Sequence, residues 1–129
     1  MDVPQAVEVR VPAEATQLPV LRAVANTIAM REDFDLDAIA DVTMAVDELC
    51  SQLIVRAAGE AVLVCRFIVD SDRITLHGSV GAKKPDPLSV TSFGWRVLST
   101  LVDSVRTWAQ EPAELHIEAV KSRGGVAAG

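Results

Sequence analysis

A carboxylate and an amide stand four residues apart in the middle of the chain, at Glu48 and Gln52. On a helix this spacing stacks the two side chains on one face, and Asp41, seven residues before Glu48, falls on the same side. Carboxylate and amide oxygens are ligands that Mg²⁺ accepts, and a carboxylate can also orient a water molecule or take a hydroxyl proton. The alternative is that all three side chains only face solvent.

The segment that carries these residues is predicted to be the longest helix, from Asp35 to about Ala57. Asp35 or Asp37 can cap its first turn, where a carboxylate meets the positive end of the helix dipole. Gly59 is well placed to end the helix. The predicted apolar face consists of residues three or four positions apart: Leu36, Ile39, Thr43, Val46, Leu49 or Cys50, Leu53 and Ala57.

The rest of the chain predicts two further helices and five strands. Residues 6–11, 61–69, 73–80, 105–110 and 113–120 have strand patterns, and residues 15–30 and 92–104 have helical ones. Separate hairpins, rather than regular alternation of strands and helices, favour a mostly antiparallel mixed sheet with three helices on one face. The predicted fold class is therefore α+β, a two-layer α/β sandwich. One domain is expected over residues 1–121, with a disordered tail over residues 122–129.

Composition limits the class of protein. The chain has 129 residues, of which 50% are hydrophobic and 23% charged, so a single folded domain is expected rather than a disordered chain. No apolar run approaches the roughly 20 residues of a membrane helix, and the first residues lack the pattern of a secretory signal. We therefore expect a soluble, cytoplasmic protein without a membrane partner.

The formal net charge of −6 is concentrated in one segment. Residues 32–48 hold seven acids and no Lys or Arg, while the remainder of the chain is nearly neutral. Direct binding to nucleic acid is not expected, because it depends on clustered basic residues. The acidic segment indicates a metal, a basic partner surface, or only solubility.

Other residues capable of chemistry occur without a supporting pattern. The cysteines are interpreted as packing residues, and the histidines as packed or surface residues rather than metal ligands. The tryptophans are more often core than contact residues, although Trp is common at binding hot spots. These residues are Cys50, Cys65, His77, His116, Trp95 and Trp108.

Two stretches resemble a known family. The sequence DVTMAVDELCSQLIVRAA, residues 41–58, resembles the N-box helix of the GHKL (histidine-kinase-like) ATPases, and specifically that of RsbW-type anti-sigma factors. The sequence SFGWRVLSTLVDSV, residues 92–105, is similar to the second glycine box and the helix after it. With the predicted element order, the resemblance covers most of the chain. It points to the mycobacterial-type, actinobacterial anti-sigma-F group.

The resemblance implies a role for each matching residue. Glu48 would be the catalytic base that activates an attacking hydroxyl, and Gln52, where the family has Asn, would hold Mg²⁺ against ATP. The cofactor-binding positions implied by the two glycine boxes are Gly78, Gly81, Asp86, Ser92 and Gly94. Gln52 is one methylene longer than Asn, Ser92 replaces a glycine, and the first box contains no Asp, so Asp86 is the nearest acid. The nucleotide site is therefore expected to be degenerate.

Three functions are considered, of which the resemblance implies the first two. The first is an anti-sigma factor that sequesters an alternative, stress-response sigma factor and represses its transcription, with a STAS-type anti-anti-sigma factor as antagonist. The alternative is an active serine protein kinase that uses ATP and Mg²⁺ to phosphorylate that antagonist. A third possibility is a scaffold that keeps the fold but has neither partner. We also expect a homodimer, formed through the exposed face of the N-terminal strand or of the first helix.

Overall fold

The computed structural model describes residues 5–84 and 86–123. The elements follow the order predicted from the sequence. They are β1 (Gln5–Pro12), a short 3₁₀ turn (Ala15–Gln17), α1 (Leu18–Arg31), α2 (Leu36–Arg56), β2 (Val62–Asp70), β3 (Arg73–Gly81), α3 (Phe93–Leu101), β4 (Ser104–Gln110) and β5 (Glu114–Ser122).

The strands form one five-stranded sheet in the order β1-β2-β3-β5-β4. Every neighbouring pair is antiparallel, including β3 with β5, which are separated in sequence by α3 and β4. The α+β sandwich predicted from the sequence is confirmed, and its sheet is antiparallel at each of these pairings rather than mixed.

The core lies between the sheet and the helices. Each central strand buries every second residue, as expected for a sheet with one covered face. On the helix side these residues meet the apolar face of α2, which contacts β2, β3 and β5. The largest fully buried side chains include Phe67, Leu21, Leu49, Leu53, Leu63, Ile74, Leu76, Leu98, Leu115 and Ile117.

Helix α2 begins as predicted but buries a different set of residues. Asp35 is the N-cap, and its side chain accepts a hydrogen bond of 2.8 Å from the backbone N–H of Ala38. Leu36, predicted to be buried, is 84% exposed, because it precedes the part of the helix that is covered by its neighbours. The helix packs against α1 and α3 as well as the sheet, so its buried surface is a broad arc rather than one stripe. The buried residues are Ala38, Val42, Ala45, Val46, Leu49, Cys50 and Leu53.

The C-terminal end of α2 leads into the sheet in a way that the sequence did not predict. The helix ends at Arg56, and Ala57, in extended conformation, forms a bridge with Ala82. Gly59 was expected to end the helix, yet the left-handed residue in this turn is Glu60, with φ of 58°.

The C-terminal strand extends into the segment that was expected to be a tail. Ser122 belongs to β5, and Arg123 donates from its backbone N–H to the Asp72 carbonyl at 2.7 Å. The Arg123 guanidinium also donates to the Ser71 carbonyl at 3.1 Å. The chain is thus tied to the β2–β3 turn through residue 123, and residues 124–129 of the expected tail lie outside the described residues.

The two cysteines lie against each other in the core between α2 and β2. Cys50 and Cys65 are both buried and free, with their Sγ atoms 4.0 Å apart. The hydrogen bond with Cys65, together with burial, raises the pKa of the Cys50 thiol well above its usual value. Both residues therefore act as packing residues, as predicted.

Among the described residues, no helix combines the length and the apolar character that crossing a membrane requires.

Candidate functional site

One side of α2 carries three half-buried polar side chains one helical turn apart, Glu48, Gln52 and Arg56, here called the polar ladder. The Gln52 amide nitrogen donates to the Glu48 carboxylate at 2.5 Å. The Arg56 guanidinium donates to the Gln52 amide oxygen at 2.8 Å and to the Gln52 backbone carbonyl at 2.9 Å. Both ends of the Gln52 amide are therefore engaged, which fixes its orientation.

The first turn of α3 rests on this ladder. Ser92 caps α3 by accepting a hydrogen bond of 3.1 Å from the Trp95 backbone N–H. Gly94 is buried, and a Cβ atom at this position would lie only 2.6 Å from Cδ of Gln52. Glycine thus allows α3 to approach the amide closely, and the structure brings Glu48, Gln52, Ser92 and Gly94 to one region.

A small cleft of about 210 Å³ lies beside Glu48, between α1, α2 and α3. A salt bridge of 2.5 Å between the Arg22 guanidinium and the Asp47 carboxylate forms part of its wall. This bridge neutralises the acid next to Glu48. The cleft is smaller than the roughly 300–1,000 Å³ typical of small-molecule sites. The residues that line it are Arg22, Thr43, Met44, Asp47, Glu48, Val97 and Leu101.

The two glycines of the first glycine box are strand residues. Gly78 is buried within β3, where a Cβ atom would lie 2.6 Å from Cδ2 of Leu49 and 2.6 Å from Cδ1 of Leu53. Its lack of a side chain lets α2 lie directly on the sheet, which is a packing reason for glycine. Gly81 is the last residue of β3, and its carbonyl accepts from the Ala58 backbone N–H at 2.8 Å. Their cofactor-binding roles stay predictions.

The two acids considered with the site lie elsewhere. Asp86 is exposed in the segment between β3 and α3. Asp41, predicted to share the face of Glu48, instead accepts a hydrogen bond of 3.1 Å from the Lys121 ammonium group at the end of β5. Neither carboxylate is part of the polar ladder.

Arg56 is the site residue that sequence reasoning missed. Its signal was present, because Arg56 follows Gln52 by the same four residues that separate Gln52 from Glu48. The prediction considered only the acid and the amide, and it did not include the Arg56 guanidinium that completes the polar ladder.

The ladder as it stands does not fit Mg²⁺. The Gln52 oxygen, which would have to ligate the metal, already accepts from a guanidinium, and that positive charge opposes a divalent cation at the same atom. The described residues also contain no group of three or more His, Cys, Asp or Glu that could hold a metal ion. A metal role for Gln52 would require both of its hydrogen bonds to be rearranged.

Comparison with known proteins found relatives of one kind. No family model matches the chain. Over 106 residues, however, it is 39% identical to the anti-sigma-F factor RsbW of Mycobacterium tuberculosis, in the CDC 1551 / Oshkosh strain and in the H37Rv strain alike. The chain is homologous to the RsbW anti-sigma-F factors. The match covers 81% of this chain, and it confirms the resemblance to RsbW-type proteins found in residues 41–58 and 92–105.

The chain spans 62% of the length of these RsbW relatives. The similarity is therefore to a part of each relative.

Proposed function

We propose that this protein is an anti-sigma factor, which binds an alternative, stress-response sigma factor and keeps it from directing transcription. The observation that carries the proposal is the 39% identity to anti-sigma-F factors over 81% of the chain. At this level of identity the relatives share the fold, and the function suggested by their name becomes the leading hypothesis.

The charge of the exposed surface supports a basic partner. Of the seven acids in residues 32–48, Asp41 and Asp47 are neutralised by Lys121 and Arg22. Asp33 and Asp37 lie at the start of α2, on either side of the 84% exposed Leu36. The exposed Leu36 side chain, with carboxylates on either side in the sequence, would complement a partner surface in which basic residues surround an apolar one. The negative charge of these acids would also increase the rate of association with such a partner.

The proposal is tested by titrating the protein with purified sigma factors of the stress and sporulation groups in a calorimeter, and by measuring transcription with RNA polymerase. We expect one of these sigma factors to bind and its transcription to stop, while a housekeeping sigma factor does neither. Failure to bind any of them would refute the proposal.

Stopped-flow measurement of association with the sigma factor that binds tests the acidic surface. The variant D33N/D37N is expected to slow association several-fold at low salt, whereas the charge-matched control D70N/D72N, in the β2–β3 turn, leaves it unchanged. Asp35 is retained in both variants because it caps α2. Equal association rates for the two variants would exclude this end of α2 as the docking surface.

An antagonist of the STAS type and a bound nucleotide belong to the same proposal. The antagonist would release the sigma factor by competing for this protein, which is measured as recovery of transcription.

The arrangement of Gln52 favours sequestration over phosphoryl transfer, since its oxygen is held by Arg56. Calorimetric titration with ATP and Mg²⁺, followed by incubation with labelled ATP and the antagonist, separates the two. Transfer of phosphate that disappears in Glu48→Ala would establish the kinase instead.

A further inference from the structure

The two cysteines of the chain meet across the boundary between the helices and the sheet. The helices lie on one face of the sheet, here called the covered face, and leave the other face open. Cys50, on the buried side of α2, faces Cys65, on the covered side of β2. Both side chains are fully buried, and their sulfur atoms are 4.0 Å apart. The fold therefore brings the two thiols together from different layers.

The close approach of α2 to the sheet explains how the two sulfurs reach each other. Cys65 pairs directly with Gly78 on the neighbouring strand β3. A Cβ atom at Gly78 would lie 2.6 Å from Cδ2 of Leu49, the residue that precedes Cys50. Because Gly78 has no side chain, the helix lies low over this part of the sheet. The gap is thus small enough for two short side chains to meet.

The contact between the sulfurs goes beyond what packing requires. Packing needs only two small apolar side chains, and cysteine is common in cores for that reason. It does not require that one sulfur face another. Here the Cys50 thiol donates its hydrogen bond to the sulfur of Cys65, so each sulfur has the other as its partner. The pair is therefore placed to react as well as to pack.

A disulfide between these residues needs only a local adjustment. The sulfurs must approach from 4.0 Å to about 2.05 Å. Rotation about the Cα–Cβ bonds changes this distance without moving the backbone. Because the two thiols already touch, a small shift of α2 or β2 completes the approach.

The reaction needs a two-electron oxidant, and a hydroperoxide, ROOH, is the class that supplies it. One cysteine, as its thiolate, attacks the hydroperoxide, so that an S–O bond forms, the O–O bond breaks and RO⁻ leaves to take up the proton that the thiol lost. The second thiol then attacks the sulfenic acid, so that the S–S bond forms and water leaves. In total, two thiols and ROOH give one disulfide, ROH and water.

The buried position sets the pace of this reaction. The hydrogen bond with Cys65 and burial raise the pKa of the Cys50 thiol, so the thiolate forms in local openings of the fold, where water reaches the sulfur. After the opening closes, the oxidised sulfur faces the second thiol again. Burial then protects the disulfide from reducing agents.

We propose that Cys50 and Cys65 are a redox modification site, which a hydroperoxide converts into a reversible disulfide between α2 and β2. The disulfide closes a loop that contains Gln52 and Arg56, so it ties the C-terminal part of the polar ladder to the sheet. The modification does not depend on the binding of a sigma factor.

The test exposes the reduced full chain to tert-butyl hydroperoxide at neutral pH, over a range of concentrations. The protein is then denatured, its free thiols are blocked with iodoacetamide, and its mass is measured. We expect a single-chain product that carries no alkylated cysteine and is lighter by two hydrogen atoms. Its peptides that contain Cys50 and Cys65 should be linked, and dithiothreitol should return both thiols.

Oxidation should also make the folded chain harder to unfold, because the disulfide restricts the unfolded chain. Urea denaturation should show a higher midpoint for the oxidised than for the reduced protein. Hydrogen exchange of the amides in the second half of α2 should slow by about tenfold. Cys50→Ala is the matched control, since the same oxidant should change neither its midpoint nor its exchange.

Cys65→Ala shows whether the disulfide needs both thiols. Its remaining Cys50 should be oxidised to a sulfenic acid, which dimedone traps, without a cross-link. The decisive result comes from the unmodified chain, so a variant that fails to fold leaves the test in place.

Three results in the unmodified chain would overturn the proposal. A disulfide that lowers the urea midpoint would show that the native geometry does not accept the bond. Cross-links between chains, in place of the internal one, would show that the two thiols do not react with each other. Thiols that stay reduced at every concentration that leaves the fold intact would show that the pair only packs. The titration with sigma factors is a separate measurement, and none of these results changes its interpretation.

Discussion

His77 and Gly78 are consecutive residues of β3 that point to opposite faces of the sheet. Gly78 lies beneath Leu49 and Leu53 of α2, in a space that would not admit a methyl group without movement. His77 lies among charged and aromatic side chains on the open face, hydrogen-bonded to His116 at 2.8 Å. On the covered face, close packing limits which side chains fit. On the open face, the side chains interact mainly through charge and hydrogen bonds.

This contrast separates stability from recognition. Apolar residues on the helix side fill a fixed volume, so a change there is expected to alter the free energy of unfolding. Charged residues on the open side contribute little to folding, because exposed ion pairs are weak. They are well suited to selecting a partner, because partners with mismatched charges are disfavoured.

The largest expected effect is that of a methyl group added on the covered face. Gly78→Ala should lower the free energy of unfolding by about 1–3 kcal/mol, because the tips of Leu49 and Leu53 must move. Gly81→Ala is the matched control, since a Cβ atom there meets no atom within 4 Å. Urea denaturation measures both. Equal stability of the two variants would contradict the close approach of α2 to β3.

A smaller effect is expected where α3 rests on the polar ladder. Gly94→Ala should lower the free energy of unfolding by about 1 kcal/mol, because the new methyl group displaces the Gln52 side chain from its hydrogen bonds with Glu48 and Arg56. In a protein that already carries Gln52→Ala, Gly94→Ala should leave the free energy of unfolding unchanged or raise it, because Ala forms helix better than Gly. The four proteins form a double-mutant cycle measured by urea denaturation. Additive effects would show that Gly94 and Gln52 are not coupled.

The smallest effect is expected on the open face and depends on pH. Burial lowers the pKa of His77 from its ordinary value of 6.5. The charges of His116, Arg66 and Arg106 also lower this pKa, and Glu118 opposes them. Because the pKa is lower in the folded than in the unfolded state, His77 contributes stability above pH 6.5 that is lost as the pH falls through the lowered pKa.

His77→Gln should therefore reduce the loss of stability on acidification. Unfolding by urea at a series of pH values, from about 7.5 down to about 5.5, measures this slope in both proteins. The measurement is made at low protein concentration so that pairing of copies does not contribute. An unchanged slope would mean that His77 is not held neutral by its surroundings.

Local signals in the sequence were sufficient for most of the fold. Asp35 caps α2 as its residue type predicts, and the hairpin of β2 and β3 follows from two β-branched runs around a short polar turn. The predicted burial of Leu36 was wrong. Helical periodicity identifies the apolar side of a helix, but it does not show which turns of the helix are covered by neighbouring elements. Ala38 and Ala45 are buried because α2 has helices on its flanks as well as a sheet beneath it.

The candidate site was predictable only in part. Four-residue spacing placed Glu48 and Gln52 together, and the family resemblance placed Gly94 near them. The role of Gly78 could not be read from the sequence, because a glycine that admits a neighbouring helix looks the same as one in a loop. The line of polar residues Glu8, Arg66, His77, Glu118 and Arg106 across the open face of the sheet was also hidden. Its members are far apart in sequence and become neighbours only through the register of four strand pairings.

The contact between Cys50 and Cys65 provides an internal reporter of the core. Both sulfurs are shielded, and the raised pKa of Cys50 keeps that group in the unreactive thiol form at neutral pH. A thiol reagent therefore modifies them only when α2 lifts away from β2. The rate of labelling in the presence of excess reagent would report how often the two layers separate, without any engineered probe.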